Sequence, residues 1–180
     1  MNKAIQMLFE EHSKIVNAID SINRIKPMIQ SNPNQFYELT TELLHFFRKY
    51  ADGYHHHKEE IILFPLMNKK NELLAEGVVA EMFSQHEEFR EMISNIEKSL
   101  NERNFEISHK LLVEYTDALL DHIAVENEEV FMIAESLLTD AELEKMYFDF
   151  QDTDRQLGTG LKAEWEEWVE SLRGKLHMAE

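Results

Sequence analysis

The sequence contains no cysteine. Disulfides, thiolate metal sites and a cysteine nucleophile are thereby excluded, and the absence suits a reducing cytoplasm. Proline and glycine are scarce, three and five residues in a chain of 180. That is too few for many tight β-turns, so long helices are the expected material. Positive charge is also short, with 18 Lys and Arg against 35 Asp and Glu and a net charge of −17. Nucleic acid and anionic membranes would be repelled by such a surface and are not expected as partners. Long hydrophobic runs are missing as well. The longest apolar stretch, Ile61 to Met67, is far short of a membrane span, and Glu10 and Glu11 stand where a signal peptide needs an apolar run. What is present is an ordinary globular composition, 43% hydrophobic and 29% charged, at a length that suits one domain with a sizeable core. A cytoplasmic protein is expected.

Breaker residues divide the chain. Pro27 and the run Ser31 to Asn34 end a first helix and begin a second, with Asn32 as N-cap and Pro33 at the first helical position. Pro65 and the polar stretch Asn68 to Asn71 close the second helix, Gly77 precedes the third, and Asn101 to Asn104 separates the third from the fourth. Thr139 with Glu142 has capping-box spacing and opens a tail, which Gly158 and Gly160 break in two.

Each long segment carries an apolar stripe at three- and four-residue steps. The first runs Ile5, Leu8, His12, Ile15, Ile19, and the third Met82, His86, Phe89, Ile93, Ile96. The second includes Leu43, Phe46, Tyr50, His56, Glu60, Leu63, and the fourth Tyr115, Leu119, His122, Glu126, Ile133. This patterning predicts an all-α fold, an antiparallel up-down-up-down four-helix bundle over residues 1–138, with a C-terminal helical extension over 139–180.

Every stripe is interrupted by an imidazole. Antiparallel neighbours are level at residues equidistant from their shared turn. The midpoint of His12 and His56 is Asn34, that of His56 and His86 is Asn71, and that of His86 and His122 is Asn104. All three fall in expected turns, so four imidazoles converge on one cross-section of the core. His56 to Glu60 and His122 to Glu126 are i, i+4 pairs, each on one helix face. Buried without a counter-charge, such groups would cost several kcal/mol per ion. A pair of divalent cations removes that cost, and nitrogen and oxygen donors without thiolate favour iron, manganese or zinc. The expected ligands are His12, His56, Glu60, His86, His122 and Glu126, with the two glutamates shared and positions left open for a small ligand. His55 with Glu59 has the same spacing as His56 with Glu60, and a histidine triplet faces three directions. His45, His109 and His177 lie off the stripes and are expected in solvent, while Phe46, Phe64, Phe83, Phe89 and Phe131 are expected to keep the site dry.

Taken together, EEH at Glu10 to His12, HHHKEEIILFP at His55 to Pro65, QHEEFR at Gln85 to Arg90 and HIAVENEEVF at His122 to Phe131 resemble the hemerythrin-like, HHE cation-binding family. The resemblance covers roughly residues 1 to 138, and its ligand positions fall on the same six residues. It implies a non-haem di-iron centre, two iron ions (Fe2+/Fe3+) bridged by carboxylates and an oxo or hydroxo group, with manganese or zinc as substitutes. The partner it implies is a diatomic ligand, O2 or NO, or peroxide. Two departures stand out. Where the oxygen-carrying members have a second histidine four residues on in the third helix, this chain has Arg90, and Glu126 sits four residues after His122 where they have an aspartate at five. Four histidines and two glutamates look more like the di-iron repair proteins of iron–sulfur clusters and iron-sensing members. Peroxide or nitric oxide detoxification, cluster repair and iron sensing or storage are therefore alternatives to simple binding. Nothing in the sequence supplies an added proton relay, although Tyr115 in the fourth stripe is placed to lie near the site. In the tail, Leu161, Trp165, Trp168 and Leu172 form a stripe that seeks burial, on the bundle or in a homodimer.

Overall fold

The computed structural model describes residues 2–177, apart from the side chains at positions 159, 173, 175 and 177. These residues form helices and turns, with no strand among them. Helix α1 (Lys3–Ile19) starts where the Asn2 side chain accepts from the Ala4 N–H. It ends earlier than Pro27 would require, and two single turns, Ile22–Ile25 and Met28–Ser31, carry the chain round. Asn32 then caps the next helix through the Gln35 N–H, with Pro33 in its first turn.

From Pro33 the chain runs in one helical rod to Lys70, in four parts: α2 (Pro33–Phe46), a π-helix π1 (Phe47–His56), a second π-helix π2 (Glu59–Leu63) and α3 (Phe64–Lys70). The rod passes through Pro65 without ending. A proline ring clashes with the carbonyl four residues back in an α-helix, and the wider π turn just before it relieves that contact. Helix α4 (Val78–Asn101) lies along α5 (Phe105–Val125), and the rod of α5 continues through π3 (Glu126–Val130) into α6 (Phe131–Leu137). A complete capping box of Thr139 and Glu142 opens α7 (Asp140–Leu157). Gly158, at φ +105°, breaks it from α8 (Thr159–His177). A side chain would be strained there, and the Tyr54 hydroxyl ties the break to π1 by donating to the carbonyls of Leu157 and Gly158, at 2.9 and 2.6 Å.

Helices α7 and α8 both pack on α1. The two tail tryptophans lie against the rods, Trp165 and Trp168 each about 6 Å from the Phe46 ring (6.1 and 6.0 Å between centroids). No helix of the described residues is long and apolar enough to cross a membrane.

The apolar core is split in two. One cluster contains Ile15, Ala51, Phe89, Tyr115, Leu119 and Ile123, and the other Leu8, Leu63, Phe64, Met82, Val130 and Phe131. Buried polar residues fall between a member of one cluster and a member of the other: His12 between Leu8 and Ile15, His86 between Met82 and Phe89. A polar layer therefore crosses the core, enclosed by apolar packing above and below. Burial of one such Leu or Phe is worth about 1.5–3 kcal/mol, and it is this packing that holds the layer in place.

Candidate metal centre

Seven buried side chains meet in the layer, as one group of His56, His86 and His122 and another of His12, His55, Glu59 and Glu126. His12 comes from α1, His55 and His56 from π1, Glu59 from π2, His86 from α4, His122 from α5 and Glu126 from π3. Five of the six residues read from the stripes are therefore together: His12, His56, His86, His122 and Glu126. Glu60 is not among them. Its carboxylate stands at the margin, 20% exposed, accepting from His86 Nδ1 at 2.8 Å and from Arg90 Nη2 at 2.7 Å. Glu59 takes the inward place, and His55 adds a fifth imidazole.

The π turns are the reason. An α-helix advances 100° per residue, so two consecutive residues cannot share a narrow face. In the wider π1 and π2 turns both His55 and His56 reach the centre, and Glu59 follows them. Such turns are frequent at functional sites. The pattern of alternatives in HHHKEE was visible in the sequence, but the turn that chooses among them was not.

Imidazole orientation is set from outside. His12 Nδ1 donates to Asn127 Oδ1 at 2.8 Å, His55 Nδ1 to Glu11 Oε2 at 3.1 Å, and His122 Nδ1 to Gln85 Oε1 at 2.7 Å. His86 Nδ1 donates to Glu60 as above, and His56 Nδ1 faces Asp52 Oδ1 at 3.5 Å. With the outer nitrogen carrying the hydrogen, the Nε2 lone pair points inward, the state a metal ligand needs. Asp52 and Glu60 are themselves clamped by one guanidinium, since Arg90 Nη2 lies 2.7 Å from an oxygen of each.

Inside, partners run out. Nε2 of His12, Nε2 of His55, and both oxygens of Glu59 and of Glu126 are buried with no hydrogen-bond donor facing them. A buried unsatisfied polar atom costs about 1–3 kcal/mol, and more when charged. Six in one volume would consume most of the roughly 5–15 kcal/mol by which a domain is stable. Cations accepted by these atoms remove the penalty, so the donor set fits metal. Without a cation the two carboxylates oppose each other. Burial and the neighbouring Glu126 push the Glu59 carboxyl well up. Burial also keeps His55, His56 and His86 below the ordinary histidine range, hence neutral and ready to bind.

The surroundings are dry. Phe131 stacks on His12 with 5.3 Å between centroids, and Phe89 stands edge-on to His122 at 5.2 Å. Phe83 differs from expectation: it is 37% exposed and touches the layer only through Phe64. Tyr115 is buried, with its ring edge-on to Phe89 at 5.8 Å between centroids. His45 is exposed as expected, and the His177 side chain lies outside the described residues. His109, expected in solvent, is 5% exposed, and its Nε2 bonds to the Ile22 carbonyl at 3.2 Å. Its position facing the short turn after α1 lies outside the stripe of the fourth helix.

No curated protein and no solved structure matches the chain. A family model does, that of the hemerythrin HHE cation binding domain, over residues 3–134. That span contains all seven side chains of the polar layer, and the chain belongs to the hemerythrin HHE cation-binding family.

Proposed function

We propose that the protein is a non-haem di-iron protein which binds or reacts with a small oxidant or nitric oxide at open metal positions. The observation that carries this reading is the way Glu126 and Glu59 span the two groups. Glu126 Oε1 lies 3.2 Å from His122 Nε2 while its Oε2 lies 3.2 Å from His12 Nε2. Glu59 Oε1 lies 3.4 Å from His55 Nε2 and its Oε2 3.7 Å from His86 Nε2. Each carboxylate thus offers one oxygen to each group, the arrangement that suits two cations side by side rather than one. An antiparallel up-down-up-down order of the four rods is what would bring these residues level; the facing pairs His86–His122 and Ser99–Ser108 support the antiparallel run of α4 and α5 within it.

The two positions are unequal. One has three imidazoles and the other two, so with both carboxylates shared the His12–His55 position keeps more room for an incoming ligand. Bound iron would supply one electron per ion and the vacant coordination positions. This chain's residues supply the rest: Asn127 and Glu11 hold His12 and His55 in the ligating orientation, and Phe131 keeps bulk water from their side of the layer.

Iron and protein quantification after purification without oxygen, followed by absorption spectra on adding air or nitric oxide, tests the reading. Two irons per chain and a new near-ultraviolet to visible band are expected. Iron well below two, or spectra unchanged by either gas, would overturn it.

A further inference from the structure

The family match ends at residue 134, yet one arm of the centre's support comes from beyond it. Glu11, which holds His55 Nδ1, is itself 2% exposed, and two lysines grip its other oxygen. Lys58, wholly buried, bonds Glu11 Oε1, and Lys162 of α8 reaches the same oxygen at 2.5 Å. Asp154 of α7 closes the ring: its Oδ1 accepts from Lys58 at 2.9 Å and its Oδ2 from Lys162 at 2.8 Å. Two carboxylates and two ammonium groups alternate around a closed, charge-balanced square. Its only neighbour in the polar layer through a hydrogen bond is His55.

Among the described residues, no hydrogen bond or ion pair joins this square to the other group. The outer nitrogens of His56 and His86 look instead to Asp52 and Glu60, joined by Arg90 on the opposite, half-exposed side. The two halves of the centre therefore rest on separate supports, one inside the family domain and one completed by the tail.

We propose that Lys162 and Asp154 are positioning residues for metal at the His12–His55–Glu59–Glu126 position, acting through Glu11 on His55, and that the C-terminal helices are thereby part of the metal centre. Burying a lysine and a glutamate is costly unless each is fully paired, so the tail cannot lose one corner of the square without Glu11 turning toward the remaining cation. His55 then loses the acceptor that fixes its tautomer. Loss of such a supporting hydrogen bond weakens metal binding by about 10- to 100-fold.

This rests on the two-cation reading, and the test separates the two. Co2+ is titrated into the metal-free full-length chain against a competing chelator, and the histidine ring nitrogens of the metal-free protein are followed by 15N NMR. Wild type binding fewer than two Co2+ overturns the two-cation reading itself. With two bound by wild type, Asp154→Asn/Lys162→Met is expected to weaken one equivalent about 10- to 100-fold and leave the other at its wild-type value. Lys162→Arg restores it, and Arg90→Met weakens the opposite equivalent. In the NMR spectrum the His55 ring signals shift in the double variant while those of His86 stay. Two unchanged equivalents, or equal weakening of both, would overturn the proposal. If the double variant does not fold, Asp154→Asn alone, which keeps the size of every side chain, is read by the same two criteria.

Discussion

His86 and His122 face each other nitrogen to nitrogen, Nε2 to Nε2 at 3.2 Å. Both outer nitrogens donate, to Glu60 and to Gln85, so no hydrogen is left between the rings. Two lone pairs at that distance repel, and a cation between them turns the repulsion into two bonds. Metal removal should therefore destabilise the fold. At a metal concentration a thousandfold above the dissociation constant, binding adds about 4 kcal/mol. For a chain of this size that corresponds to roughly 8–16 °C in the melting temperature. Calorimetry with and without a chelator checks this, and equal melts would contradict it.

The neighbouring glutamates should separate cleanly. Glu59→Gln removes an oxygen charge shared by both groups, and two-metal binding is expected to be lost. Glu60→Gln only loosens the His86 ring, and a loss of about 10- to 100-fold in affinity is expected. Metal-free stability should hardly change in Glu59→Gln, because the carboxyl is already driven toward its protonated form by burial and Glu126. Metal titration and urea unfolding of the two variants provide the comparison.

Acid should act on the metal-free protein before the ordinary carboxylate range is reached. Burial and His12 hold His55 down at about 4, and burial and His86 lower His56 too. Unfolded histidines take a proton near about 6.5. Between about 6.5 and 4 the unfolded chain binds more protons, so stability falls as pH falls. His55 alone accounts for roughly 3 kcal/mol of that loss. Glu59 works in the opposite sense, since its raised carboxyl favours the folded state as pH drops. Asp52 acts later: its bonds to His56 and Arg90 outweigh burial and hold it at about 2, so its contribution disappears only as pH falls from about 4 to 2. Urea midpoints at about pH 7 and about pH 5 decide the sign. A midpoint that held or rose would show that Glu59 outweighs the imidazoles.

Gly158→Ala should destabilise by about 1–3 kcal/mol, the range for a side chain forced into a sparsely populated backbone region. The φ of +105° is the cause, not crowding, because the nearest atoms to an added Cβ are 3.7 Å away. A thermal melt checks it, and no change would mean that the break between α7 and α8 can be made in another way.

Much of the centre was legible because antiparallel helices rise equally per residue. The midpoints at Asn34, Asn71 and Asn104 need only that arithmetic, and they bring His12, His56, His86 and His122 to one level. The structure places Glu59 inside and Glu60 at the margin, a difference that an arithmetic of 3.6 residues per turn does not contain. Stripe periodicity has no term for a turn that widens between Phe47 and His56. The supporting acceptors were harder still: Gln85 and Glu11 lie beside ligands in sequence but act on rings from other helices. Asp154 and Lys162 gave no local signal, since their importance arises only from α7 and α8 folding back on α1.

A π turn amounts to one residue inserted into an α-helix. Deleting a single residue between Phe47 and Tyr54 would let π1 relax to the more favourable α geometry, and the backbone alone would gain from it. The same change would rotate everything downstream by about a quarter turn, carrying His55 and His56 off the axis. Regularity in this rod and the capacity to hold a cation are thus in direct competition, and a variant selected only for thermal resistance would be expected to drift toward an inert bundle.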